Sequence, residues 1–83
     1  MKFGIQILPR EVILDTQGRA VEQILLANKM QISHCRVGRY VEVEVPIKNE
    51  DEALKEVQKM TEFVLVNPLI EVYKVARLPE VNP

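Results

Sequence analysis

The chain has a single cysteine, no tryptophan and only three glycines among its 83 residues. One cysteine cannot form a disulfide within the chain, and the sequence contains no cysteine and histidine spacing typical of a zinc site. His34 and Cys35 are adjacent, so on a strand they would point to opposite faces and could not act together as a base and a nucleophile. The sequence therefore predicts no catalytic residue and no metal site.

An excess of charge of one sign and long apolar runs are also missing. Eleven Lys and Arg residues against 12 Asp and Glu residues give a net charge of -1, which provides no general attraction to nucleic acid or to an anionic membrane. Residues 1–8 are too short and too weakly basic for a signal peptide, and no stretch is long enough to span a bilayer. We therefore expect a cytoplasmic protein with no nucleic acid and no membrane as partners, and with Cys35 as a reduced thiol.

The chain is also too short to form a large hydrophobic core. We expect one domain, residues 1–83, and a chain of this length buries only about 60–65% of its extended surface on folding. Hydrophobic residues make up 47% of the chain and aromatic residues 5%, which indicates an aliphatic core. Because such a core barely offsets the lost chain entropy, we expect the chain to associate with itself, as a dimer or a dimer of dimers.

Apolar periodicity predicts strands and helices in the order strand, helix, strand, strand, helix, strand. The predicted strands are 2–8, 32–37, 39–45 and 69–76; one helix is capped by Asp15 or Thr16 and ends near Asn28, and the other is capped by Asn49 and stopped by Asn67-Pro68. Val64 belongs to the predicted apolar stripe of the second helix. Residues 77–83 contain two prolines and are predicted to form a loosely held tail.

This order is typical of the α+β class and of a ferredoxin-like βαββαβ fold, an antiparallel sheet with two helices on one face. Gly38 alone separates the second and third predicted strands. The pair is either a tight hairpin or one long bent ribbon whose ends pair with another chain. Strand or segment exchange between chains therefore remains open at this point.

Two segments have features that also occur in anion-binding sites. Arg36 and Arg39 flank Gly38 and could hold a carboxylate or a phosphate, but from the residues alone an ordinary charged turn is the better explanation. The segment 15–18 lies at a helix start but lacks the repeated glycines and the lysine of a phosphate loop. Gly18 is better explained by the close approach of another backbone.

Three short islands carry a resemblance to a known family. They are Ile13–Ala20, Arg36–Tyr40 and Asn67–Tyr73, and in this order and spacing they resemble PurS, the small subunit of bacterial and archaeal phosphoribosylformylglycinamidine synthase. The chain departs from the family pattern at Thr16, where proline is usual, at Arg39, where lysine is common, and in the connection 9–12. The resemblance extends to about Val75.

The resemblance implies a non-catalytic accessory subunit. The enzyme of this family converts formylglycinamide ribonucleotide to the amidine, using ATP and ammonia released from glutamine. A separate glutaminase subunit, PurQ, makes the ammonia and a separate large synthetase subunit, PurL, activates the substrate. The small subunit would join the two and support ammonia transfer. ATP and magnesium would be used by the whole complex, with no cofactor bound by this chain.

The same resemblance places certain residues at subunit interfaces or in assembly. They are Asp15, Gln17, Gly18, Arg36, Gly38, Arg39, Tyr40, Asn67 and Pro68. Two other functions remain open for this element order. One is a ligand-sensing regulatory module of the amino-acid-binding ferredoxin-like type, and the other is an enzyme acting by itself.

Overall fold

A computed structural model of the chain describes residues 1–79. Within that range the elements are β1 (Lys2–Pro9), α1 (Thr16–Ala27), β2 (Arg39–Glu44), α2 (Glu50–Met60) and β3 (Glu71–Leu78). A single π-helical turn, Thr61–Leu65, continues α2. Over these residues the structure contains no helix with the length and apolar character needed to cross a membrane.

β1 lies at the centre of the sheet, with β2 and β3 antiparallel to it at the two edges. Ile5 lies opposite Val41 of β2 and Val75 of β3. The three side chains share one face, because directly opposed residues of an antiparallel pair point the same way. The predicted α+β, ferredoxin-like antiparallel class is thereby confirmed.

The core lies between this face of the sheet and α2. Its buried apolar members are Phe3, Ile5, Ile7, Val45, Ala53, Val57 and Val66. The predicted alternation of the third strand is confirmed, since its valines point toward the core while Tyr40, Glu42 and Glu44 are exposed.

The π-helical turn changes which side chains reach the core. Thr61 is fully buried, and its Oγ1 donates a hydrogen bond to the carbonyl of Val57 over 2.8 Å. The wider turn then leaves Val64 exposed and places Val66 in the core instead. The prediction that Val64 belongs to the buried stripe was therefore wrong.

The predicted second strand, 32–37, is not a strand. Within residues 1–79 this segment is irregular and pairs with no strand, so the described sheet has three strands rather than four. The physical reason is a competing hydrogen bond. The Val37 N–H donates to the Asp15 carboxylate over 2.8 Å, which ties the segment to the start of α1 instead of folding it back along β2.

α1 and the segment 28–34 that follows it extend away from the sheet, and we call them the arm. Gly18 is the buried residue of α1, whereas Val21, Ile24 and Leu26 are between 40% and 62% exposed. The Cα radius of gyration is 16.1 Å, well above the about 12 Å expected for a compact domain of this length. Within the described single chain, α2 covers the sheet and α1 does not, which differs from the two covering helices that we predicted.

β3 extends farther along the chain than predicted. Leu69 and Ile70 belong to a turn rather than to the strand, while Arg77 pairs with Phe3 and Leu78 with Lys2. Assigning residues 77 and 78 to a loosely held tail was therefore wrong. The rest of that predicted tail, apart from Pro79, lies outside the described residues.

Candidate functional site

The three islands meet at one end of the sheet. β1 ends there, β2 and β3 begin there because they run antiparallel to β1, and α1 starts nearby. We call the region formed by residues 9–18, 35–39 and 65–71 the junction. A groove of about 370 Å³ in the junction is lined by residues of all three islands.

Asp15 connects the first island to the second. Its carboxylate accepts one hydrogen bond from the Gly18 N–H over 2.9 Å and another from the Val37 N–H over 2.8 Å. The first of these makes Asp15 the N-cap of α1. The bond from Gly18, and then that from Val37, lower the pKa of Asp15 below its ordinary value because they favour the charged carboxylate. Asp15 thus holds Val37, in the segment that follows the arm, against the start of α1.

Two close backbone approaches in the junction require glycine. A Cβ on Gly18 would lie 2.6 Å from the carbonyl oxygen of Cys35, so the predicted reason for Gly18 is confirmed. A Cβ on Gly38 would overlap the carbonyl oxygen of Ile7 and lie 2.8 Å from Cδ2 of Leu8. Neither glycine has a positive φ, so lack of space rather than backbone conformation requires glycine here.

Arg36 is held by the backbone of the junction. Its Nη2 donates a hydrogen bond to the carbonyl oxygen of Pro9, at the end of β1. Its Nε is buried and has no hydrogen-bond acceptor within residues 1–79. Arg36 is therefore not a freely solvated charge beside Gly38.

Arg39 connects the second island to the third. Its Nη2 lies 2.9 Å from both carboxylate oxygens of Glu71 and donates to the carbonyl oxygen of Leu65 over 2.8 Å. Glu71 also accepts a hydrogen bond from the Asn67 N–H over 2.9 Å. This bond, and then the contact with Arg39, lower the pKa of Glu71. Arg39 does hold a carboxylate, and that carboxylate belongs to its own chain.

The turn of the third island is bonded to the end of β1. The Asn67 side-chain oxygen accepts from the Leu69 N–H over 3.1 Å. The Pro68 carbonyl accepts from Nε and Nη2 of Arg10 over 3.0 and 2.7 Å. The Arg10 N–H donates to the Ile70 carbonyl over 2.8 Å. These contacts hold the turn in one place.

Two of the candidate residues, Tyr40 and Gln17, make none of these hydrogen bonds. Tyr40 lies on the face of the sheet opposite to Arg39, where its ring covers Gly4. Gln17 is exposed on the first turn of α1. Sequence reasoning in turn missed the roles of Arg10 and Glu71, because their hydrogen-bond partners are distant in sequence and only the fold brings them near.

The arrangement connects segments that are distant in sequence. Among residues 1–79, no three His, Cys, Asp or Glu side chains are placed to hold a metal ion. The carboxylates of Asp15 and Glu71 accept hydrogen bonds from neighbouring backbone and arginine groups. Fold and junction together define a small ferredoxin-like α+β domain with an extended helical arm and a cross-bonded junction at one end of its sheet.

Comparisons with known proteins identify the family. The model of the PurS family, described as phosphoribosylformylglycinamidine (FGAM) synthase, matches residues 2–78. The phosphoribosylformylglycinamidine synthase subunit PurS of Thermotoga maritima is 33% identical over 78 residues, which cover 93% of this chain and 95% of that protein. The chain belongs to the PurS family.

Two solved structures from Thermotoga maritima agree with this assignment. The crystal structure of a purS subunit of the synthase matches with a TM-score of 0.88 at 33% identity, covering 93% of this chain and 90% of that chain. A chain in the structure of PurLQS matches with a TM-score of 0.87 at 33% identity, covering 93% of this chain and 95% of that chain. Each of these two similarities covers 93% of this chain.

Proposed function

We propose that this chain is the small, non-catalytic subunit of phosphoribosylformylglycinamidine synthase in purine biosynthesis. The family match over residues 2–78, which includes all three islands, carries this proposal. The likeness to a chain of the PurLQS structure supports PurL and PurQ as its partners. In the complex, the subunit joins the synthetase to the glutaminase and supports ammonia transfer, while ATP and magnesium are used by the complex as a whole. We place the complex in the cytoplasm, where Cys35 stays a reduced thiol.

The contacts of the junction support a role in assembly. Asp15, Arg36 and Arg39 bind groups of their own chain, so they determine the shape of this end of the molecule. No feature of the junction favours an enzyme acting by itself. The amino-acid-binding regulatory module finds no support in the family match.

Reconstitution tests the proposed function. With purified PurL and PurQ, omitting this chain is expected to lower glutamine-dependent amidine formation by at least about tenfold, a loss of about 1.4 kcal/mol in transition-state stabilisation. Amidine formation from added ammonium should fall less, because external ammonia bypasses transfer from the glutaminase. Both rates are measured with and without the chain, and the chain alone serves as the control and should show neither activity. Equal glutamine-dependent rates with and without the chain would rule the proposal out.

We also propose that the chain associates with itself through the arm and the free edge of β2. α1 exposes an apolar stripe, and Val41 and Val43 of β2 are only partly buried by α2 and β1. The segment 32–37 has a strand-like sequence and, within residues 1–79, no strand partner. A second copy offers the helix of its arm for the sheet face and its segment 32–37 as a strand for the β2 edge, which is the segment exchange that the sequence left open.

Light scattering at micromolar concentration checks this association. The isolated chain is expected to have a mass at least twice its 9.6 kDa. Ile24→Glu, on the exposed stripe of α1, should shift the population toward monomer because it places a charge in the interface. Phe63→Ser is the matched control, since Phe63 is exposed and lies outside the arm. A stable folded monomer of the unsubstituted chain would disprove the association.

A further inference from the structure

We infer that the sheet face opposite to α2 packs against the same face of another copy of the chain, with β2 of one copy over β3 of the other. We call it the outer face, and it carries the even-numbered side chains of the three strands. The inference rests on the proposed association through the arm. It adds a second contact and makes four copies the assembled form.

The outer face has no covering layer within residues 1–79. α2 packs on the other face, where the buried side chains of Phe3, Ile5 and Ile7 lie. The Cα atoms extend only 15 Å in the shortest direction, which is the thickness of one sheet and one layer of helix. The association through the arm uses the side of α2 and the edge of β2, so the outer face stays bare in a pair of copies joined that way.

The charges of the outer face are separated by sign across β1. Lys2 and Glu44 lie opposite each other, so their charges offset each other within the chain. Glu42 on β2 and Lys74 on β3 lie opposite uncharged residues of β1. Both are exposed and, among the described residues, neither forms an ion pair. An unmatched acid therefore lies on the β2 side of the face and an unmatched base on the β3 side.

These charges select one orientation of the second copy. Two aligned sheets meet face to face with a two-fold axis either across the strands or along them. An axis across the strands places acidic β2 over acidic β2. An axis along β1 instead places β2 of each copy over β3 of the other, so that Glu42 faces Lys74 of the second copy and symmetry forms this contact twice. Packed sheets lie about 10 Å apart, a gap that a glutamate and a lysine side chain span together. Opposite charges favour this orientation, and like charges disfavour the other.

The shape of the outer face matches in the same orientation. A hollow of about 330 Å³ opens beside Leu8, where Gly38 has no side chain to fill it. On the other side of Leu8 lies Val72, which is 39% exposed. A two-fold axis along β1 places Val72 of each copy over the hollow of the other. Charge and shape therefore point to the same arrangement of two copies.

Tyr40 also gains a partner in this arrangement. Its ring lies along the sheet over Gly4 and remains largely exposed. Tyr40 and Lys74 lie on opposite sides of Gln6, so the same axis brings Lys74 of the second copy over the ring. An ammonium group is attracted to the face of an aromatic ring. This contact gives the interface role expected of Tyr40 a physical basis.

The size of the outer face explains why four copies assemble. Three strands about 4.8 Å apart and about seven residues long form a face of roughly 350 Å². Two such faces bury about 700 Å² in total, less than the about 1,200 Å² at the lower limit of stable interfaces. Two pairs joined through their arms bring four faces together and bury about 1,400 Å², which lies within the stable range. The outer face therefore joins pairs of copies rather than single chains.

Charge reversal tests the contact. Lys74→Glu and Glu42→Lys each place like charges in the interface, while the double variant restores opposite charges in exchanged positions. Within one chain the two residues lie on either side of β1, so the double variant restores assembly only through another copy. Lys55→Glu is the control, because Lys55 is exposed on α2, away from the outer face. Mass is measured by light scattering at micromolar concentration with the thermal melt alongside, and affinity for purified PurL and PurQ by calorimetry.

The unsubstituted chain and the control are expected to have about four times the 9.6 kDa mass of one chain. Each single variant should have half of that mass and keep a cooperative melt, and the double variant should regain the mass of four copies. A single variant that keeps the mass of four copies, or a double variant that stays at two, would overturn the inference. Unchanged mass with weaker binding to PurL or PurQ would also overturn it by assigning the outer face to that subunit. An unsubstituted chain of two copies would overturn it as well, while the association through the arm and the reconstitution result would stand.

Discussion

Gly38→Ala is expected to lower the free energy of unfolding by about 2–3 kcal/mol and the midpoint of thermal unfolding by roughly 10–20 °C. The new Cβ would overlap the carbonyl oxygen of Ile7 and lie 2.8 Å from Cδ2 of Leu8. Ile7 is paired with Arg39 at this point of the sheet, so the clash falls on backbone that cannot move without breaking the pairing of β1 with β2. Urea unfolding followed by circular dichroism measures the loss.

Gly4→Ala is the matched control for this substitution. A Cβ on Gly4 would lie 2.7 Å from Cζ of Tyr40, but that atom belongs to the far end of an exposed side chain that can rotate away. The free energy of unfolding should therefore change by no more than about 0.5 kcal/mol. If both substitutions cost the same, then the packing of Gly38 against β1 is not what the junction depends on.

Arg39→Ala is expected to lower the free energy of unfolding by about 1.5 kcal/mol. It removes the contact with both oxygens of Glu71, whose side chain is only 17% exposed, and the hydrogen bond to the Leu65 carbonyl. The turn of the third island would lose one of its connections to β2. Replacing a charged residue of an ordinary solvated turn would leave stability nearly unchanged, and these contacts give the opposite expectation.

Arg77→Ala provides the comparison for Arg39→Ala. Arg77 pairs with Glu50 over 3.2 Å, and the side chains of both residues are about half exposed. Solvent screens such a pair, so its loss should cost less than about 1 kcal/mol. Both variants are unfolded in urea under the same conditions, and an equal or larger loss for Arg77→Ala would contradict the structural role assigned to Arg39.

For the polar candidate residues of the islands, the resemblance indicated the family, whereas only the structure shows which groups each residue contacts. The islands predicted the family correctly, and the match over residues 2–78 confirms it. They did not reveal what each residue contacts. Arg36, Arg39 and Asn67 were expected at subunit interfaces, and that remains a prediction, while the structure shows that each of them also bonds to its own chain.

The elements predicted correctly from the sequence are those with local causes. The inward side of β1 follows from alternating apolar residues, and the starts of the helices follow from Asp15 and Asn49, which cap amides three residues away. Such signals need no knowledge of the rest of the chain. They were sufficient for the fold class, for β2 and for the cap of α2.

Only the tertiary structure decided the features that depend on distant partners. The segment 32–37 has the composition of a strand, but the Val37 N–H is bonded to Asp15, which lies 22 positions earlier. The ion pair of Arg39 and Glu71 joins the starts of two strands that are not paired with each other, because β1 lies between them. The π-helical turn similarly exposes Val64, although its spacing indicated a buried position. In each case, which groups meet depends on strand register and chain path, and those are determined by the packing of the whole chain rather than by any local pattern.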